Sequence, residues 1–127
     1  MELNEITGII IQESIKIHKD VGPGLLESVY EELLAYRLTK RGLKVLRQFP
    51  IPLIYEDIQM EVGFRADLIV EDRVLVEVKS IEAIMNRHPK IVLTYLRLTK
   101  LKIALLINFN EAVLKNGIKR IINNYFI

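Results

Sequence analysis

The chain has 127 residues, half of them hydrophobic, a formal net charge of +2 and no cysteine. That length suits one domain with a buried core. The apolar content excludes a disordered chain, and the lack of thiols excludes disulfides and thiolate metal centres and agrees with a reducing compartment. No apolar run approaches the ~18 residues of a bilayer span. Met1-Glu2-Leu3-Asn4-Glu5 is acidic where a signal peptide is basic. The expectation is a cytoplasmic protein with no membrane partner.

Ile6, Ile9, Ile10, Ile17 and Val21 recur at helical spacing and predict a helix over 3–20, with Glu13, Lys16 and Asp20 off the apolar stripe. Gly22-Pro23-Gly24 ends it. A second helix is expected from Leu26 to Arg41, burying Val29, Tyr30, Leu33, Leu34 and Leu38, with Gly42 as its C-terminal cap. Glu27 falls in its first turn, at the positive end of the dipole, and Tyr30, three residues on, shares its side. Lys44 to Tyr55 alternates loosely around Pro50 and Pro52, as an edge or bent strand does. Glu56-Asp57 is a turn, and Gln59 to Gly63 leads into the next strand, with Gly63 at a bulge or bend.

Two apolar runs follow, Ala66 to Val70 and Val74 to Val78, separated by Glu71-Asp72-Arg73. They predict a β-hairpin. Pairing Val70 with Val74 puts Ala66, Leu68 and Val70 on one face with Val74, Val76 and Val78. Arg65, Asp67 and Ile69 then lie on the other with Leu75, Glu77 and Lys79, Asp67 opposite Glu77. A slip of one residue would place Asp67 among the valines, which is costly for a carboxylate. Two facing carboxylates repel unless a cation lies between them or one is protonated. Lys79 offsets part of that repulsion, and a divalent metal would offset more.

Ser80 to Lys90 is polar and loop-like, and Ile91 to Lys100 is expected as a helix opened by Pro89. Leu101 to Phe109 suits a buried strand. In the segment Asn110 to Ile127, Asn116-Gly117 marks a turn, and Ile118 to Ile122 is open between strand and helical turn. Without linker, repeat or low-complexity segment, residues 1–127 are expected to form one α/β or α+β sandwich domain, a mixed sheet with helices on its faces.

Charge is uneven along the chain. Residues 1–78 carry nine Lys/Arg against fourteen Asp/Glu, whereas residues 79–127 carry nine against two. A basic second half suits a polyanionic partner, although solvated helix faces produce the same count. Arg97, Lys100 and Lys102 are candidate contacts to a nucleic-acid backbone, which would make binding salt-dependent.

Asp67, nine intervening residues and then Glu77-Val78-Lys79 resemble the signature of the PD-(D/E)XK nucleases. Gly24-Leu25-Leu26-Glu27-Ser28-Val29-Tyr30 is similar to the motif that names the GxxExxY family, a branch of that superfamily. Gly63-Phe64-Arg65-Ala66-Asp67, Leu93-Thr94-Tyr95-Leu96 with Leu98-Thr99, Leu106-Ile107-Asn108-Phe109-Asn110 and Gly117-Ile118-Lys119-Arg120 resemble its other segments, over about residues 5–123 in unbroken order.

The resemblance implies an α-β-β-β-α-β core with an extra N-terminal helix. It implies that Asp67 and Glu77, with the Val78 backbone carbonyl, ligate Mg²⁺ or Mn²⁺, that Glu27 contributes through a water, and that Lys79 orients the attacking water and stabilises charge on the phosphate. The implied activity is hydrolysis of phosphodiester bonds, with DNA as the expected substrate. Where relatives often carry a glutamine four residues before the helix tyrosine, this chain has Ile91, and His88 stands nearby. Tyr30 and Tyr95 are expected as packing residues whose hydroxyls reach the site. Arg65 is open between a phosphate contact and an ion pair. The alternatives are a nuclease-fold protein that binds nucleic acid or a protein partner without hydrolysing it, and a structural domain with a surface ion-pair cluster. No separate DNA-reading domain is evident, so a homodimer or a larger assembly is a further expectation.

Overall fold

The computed structural model describes residues 1–124, and for residues 61 and 62 the backbone alone. Two helices come first, α1 (Leu3–Val21) and α2 (Glu27–Lys40). Strands β1 (Val45–Tyr55), β2 (Ile58–Val70) and β3 (Val74–Lys79) follow, then α3 (Arg87–Thr99) and β4 (Ile103–Asn108). A 3₁₀ turn (Leu114–Gly117) and β5 (Ile118–Ile122) complete the order. The five strands form one sheet in the order β1-β2-β3-β4-β5, antiparallel throughout except for the parallel pair β3–β4. The fold is α+β, as expected, and Ile118 to Ile122 resolves as a strand. Residues 125–127 of the C-terminal segment lie outside the described residues.

Each sheet face builds its own core. On one, Leu68, Val70, Val74, Val76 and Val78 pack with Leu105 and Ile107 under α1 and α2, whose Ile6, Ile10, Ile17, Tyr30, Leu34 and Leu38 are buried there. On the other, Ile69, Leu75, Ala104 and Leu106 meet Val92 and Leu96 of α3. Buried on both faces, β3 and β4 can be the near-continuous apolar runs the sequence shows. The crossover through α3 makes the two strands parallel, so their C-terminal ends lie side by side, Lys79 against Asn108.

The edges of several elements differ from expectation. Glu13 is buried, because Arg37 Nε and Arg41 Nη1 bond its two oxygens at 2.6 and 2.8 Å across the α1–α2 interface. These bonds hold its carboxyl below the usual range against the opposing effect of burial, which is the largest single influence on it. Val21 and Val29 are exposed, at the ends of α1 and α2 that flank the Gly22–Leu26 turn. The third helix begins at Arg87, not Ile91, and Pro89 sits inside its first turn, where its missing N–H has no intrahelical partner to lose.

β1 is the bent edge strand expected from its prolines, with a register shift between Ile51 and Leu53 opposite the Gly63 segment, where φ is +74°. The predicted hairpin register is present: Val70 pairs with Val74, Ile69 with Leu75 and Leu68 with Val76. The expected facing fails before Asp67, where Phe64 and Ala66 share the face of Ile69 and Arg65 lies on the opposite one. Ala66 packs with Ile51, Ile69 and Leu75 on the α3 face instead of with Leu68 and Val70. The alternation breaks because β1 leaves extended geometry at Gln48 (φ +48°), between the pairs Arg47–Leu68 and Phe49–Ala66. Asp67 lies at that break.

Candidate active site

β2 and β3 stop pairing at Leu68–Val76, and side chains take over the polar groups just beyond. The Asp67 backbone N–H donates to Glu77 Oε1 at 3.0 Å, and the Val78 N–H donates to Asp67 Oδ2 at 2.8 Å. The two acids therefore interlock across the gap at the C-terminal end of β3. In an extended residue N–H and C=O point to the same side. The Val78 carbonyl is thus turned towards β2, on the side of Asp67.

This pair is electrostatically tense. Glu77, 6% exposed, has its carboxyl pushed up to about 8, first by burial and then by the Asp67 charge. Burial likewise raises the Asp67 carboxyl, and Glu31 adds to the effect. Val78 N–H, Gln48 and Lys79 act in the opposite sense on Asp67 without cancelling it. Lys79 also favours the charged form of Glu77, and no ion pair joins it to either acid among the described residues.

The other expected residues divide. Tyr95, half-buried on α3, faces the pair: burial raises its phenol first, and the charges of Glu77 and Asp67 add to the rise. Its ring is tilted against Phe64 with centroids 6.0 Å apart. Glu27 is the first residue of α2, and its Oε2 accepts the Ser80 N–H at 3.3 Å, next to Lys79. It does not close up with Asp67 and Glu77: among the described residues no group of three His, Cys, Asp or Glu is gathered around a metal position. Tyr30 is fully buried and stacked on Phe109 at 4.5 Å. Its hydroxyl donates to Gly22 O at 2.6 Å and accepts the Leu25 N–H at 3.1 Å. It clamps the loop that delivers Glu27 and does not reach the acids. Arg65 Nη1 bonds the Gln48 carbonyl at 3.4 Å and pairs with neither carboxylate.

Arg97, Lys100 and Lys102 are not brought to the site. Lys79 stands beside Asn108 at one end of the β3–β4 pair, whereas Lys102 precedes Ile103, which pairs with Val74 at the other. Five strand steps of roughly 3.3 Å separate the two levels by about 17 Å. Arg97 and Lys100 end the helix that runs back along this length. A basic cluster in sequence is here divided by the crossover.

Sequence reasoning missed three contributors. Glu31, buried one turn after Glu27, is bonded by Arg47 Nη2 at 3.0 Å and by Gln48 Nε2 at 2.5 Å. Gln48 Nε2 also lies 3.3 Å from Asp67 Oδ1. The i,i+4 spacing of Glu27 and Glu31 was the available signal for the first; nothing in the local pattern marks Gln48. Asn108, fully buried, bonds both the N–H and the C=O of Ile81 and fixes the chain just after Lys79. His88 takes the Met85 N–H on Nδ1 at 2.8 Å. Its ring is disfavoured as a cation first by burial and then by Arg87 and Lys79, with the Met85 bond and Glu27 opposing.

A family model described as the PD-(D/E)XK nuclease superfamily matches residues 4–121, and the chain belongs to that superfamily. Neither the curated proteins nor the solved structures yield a match.

Proposed function

We propose that this protein is a divalent-metal-dependent nuclease that hydrolyses phosphodiester bonds of nucleic acid, most simply DNA, at the Asp67–Glu77 pair. The observation that carries the reading is the interlock of the buried Glu77 with the half-buried Asp67 beyond the last β2–β3 pair, with the Asp67 N–H on Glu77 Oε1 and the Val78 N–H on Asp67 Oδ2. Two carboxylates this close repel, and a cation between them would offset the repulsion. Two carboxylates and the Val78 carbonyl form a hard-oxygen donor set of the kind Mg²⁺ or Mn²⁺ takes, with water completing the shell. The residues present fit the ion that nucleases of this superfamily generally use.

A divalent ion bound there would supply positive charge to the scissile phosphate and lower the pKa of the attacking water. Asp67 and Glu77 would hold it, and Glu27, which accepts the Ser80 N–H, would act on it through a water. Lys79, following Glu77 by two along β3, shares its face. Its ammonium orients the attacking water and counters charge growing on the phosphate oxygens. Tyr95 closes the α3 side, with its phenol kept neutral by burial and by the same carboxylates. We further assign the chain to the GxxExxY branch on Gly24–Tyr30, where Gly24 has φ +97° and Glu27 opens α2, and read residues 1–127 as its single domain.

The test is cleavage of single-stranded DNA, double-stranded DNA and RNA with Mg²⁺ or Mn²⁺, for the wild type, Glu77→Ala and Lys79→Ala. Wild-type cleavage lost in both variants is expected. Activity retained by both, or absent from the wild type on every substrate, would refute the reading.

A further inference from the structure

Gln48 holds a left-handed backbone (φ +48°) in the middle of a strand, a conformation unfavourable for a residue with a β-carbon. Its side chain gives that geometry a use. Nε2 lies 2.5 Å from Glu31 Oε1 and 3.3 Å from Asp67 Oδ1. Glu31 is 6% exposed and held in turn by Arg47, through Nη2 at 3.0 Å and Nε at 3.3 Å. On its other oxygen Asp67 takes the Val78 N–H at 2.8 Å. The Asp67 carboxylate is therefore gripped from both sides, by the β3 backbone and by a carboxamide whose own position is set on α2.

We propose that Gln48 is a positioning residue for the cation site: its carboxamide, anchored on Glu31, sets the rotation of the Asp67 carboxylate so that its remaining lone pairs and those of Glu77 converge on one ion. The proposal rests on the divalent site argued above. Three features support it over a role as a fastener of β1 to α2. Arg47 already makes that fastening, with two bonds to Glu31. The break in strand geometry falls where β1 passes Asp67, between the pairs Arg47–Leu68 and Phe49–Ala66. Outer partners of metal-ligating carboxylates typically govern affinity by 10- to 100-fold without touching the ion.

The experiment is calorimetric titration of Mn²⁺ into the wild type, Asp67→Ala, Gln48→Gly, Glu31→Gln and the double variant Gln48→Gly/Glu31→Gln, with thermal unfolding measured on each. Glycine suits the left-handed backbone, so Gln48→Gly is expected to unfold within a few degrees of the wild type while its Mn²⁺ dissociation constant rises about 10-fold or more. Glu31→Gln should weaken binding in the same direction. The double variant should lose little beyond Gln48→Gly, because both act through one contact to Asp67. If the wild type binds Mn²⁺, Asp67→Ala does not, and Gln48→Gly binds as the wild type does, the positioning role is wrong and the metal site stands. A wild type that takes up no Mn²⁺ would overturn both.

Discussion

Replacing Glu77 by glutamine should make the metal-free protein more stable, and only at high pH. In the fold the Glu77 carboxyl is raised from an ordinary 4.5 to about 8. From about pH 4.5 to about pH 8 the folded state therefore binds the proton that the unfolded state has released, and stability falls as pH rises through that window. At roughly 1.4 kcal/mol for each tenfold change, the displacement sets an upper bound of about 5 kcal/mol on the loss above pH 8. Glutamine cannot ionise and keeps an oxygen for the Asp67 N–H. Allowing for relaxation of the pair, Glu77→Gln should exceed the wild type by about 2 kcal/mol near pH 8.5 in chelator, and by under about 1 kcal/mol near pH 5. Urea unfolding at the two pH values measures both. Saturating Mn²⁺ should reverse the order, since an ion at 100 times its dissociation constant adds about 2.7 kcal/mol to the wild type alone. Equal wild-type stability at both pH values, with no advantage for Glu77→Gln at the higher one, would refute the account of the acid pair.

Tyr30→Phe removes a fully buried hydroxyl that joins Gly22 O to the Leu25 N–H, and should cost about 1–2 kcal/mol in urea unfolding. Gly117→Ala would set a β-carbon 2.5 Å from the Asn108 carbonyl oxygen; overpacking against backbone should cost about 1–3 kcal/mol, read as a lowered melting temperature. Lys100→Ala with Lys102→Ala should leave the cleavage rate of a short oligonucleotide within about twofold of the wild type, because both lysines lie about 17 Å along the sheet from the level of Lys79. A rate reduced tenfold would show that substrate runs the length of α3.

The sequence by itself determined the order of the elements as far as β4, and the acid pair; it left Ile118 to Ile122 open and started the third helix four residues late. Alternation around Glu71-Asp72-Arg73 allows one hairpin register that keeps charge out of the valines, and the structure has it, with Val70 on Val74. The Gly22-Pro23-Gly24 stop and the apolar run of β4 follow equally from local chemistry. Tertiary structure decided what gathers around the pair. The parallel crossover places the end of α3 at the opposite end of the sheet from Lys79, so Arg97, Lys100 and Lys102 are divided from a site they neighbour in sequence. The facing of β2 reverses at Asp67, beside the left-handed residue Gln48, and turns Ala66 to the other core; the Gln48 carboxamide links Glu31 to Asp67, while Glu27 goes to Ser80. Periodicity reports which face of one element is apolar. It carries no information on which end of another element lies beside it, nor on a break in alternation held by a contact between residues 17 apart, and the surroundings of the site depend on both.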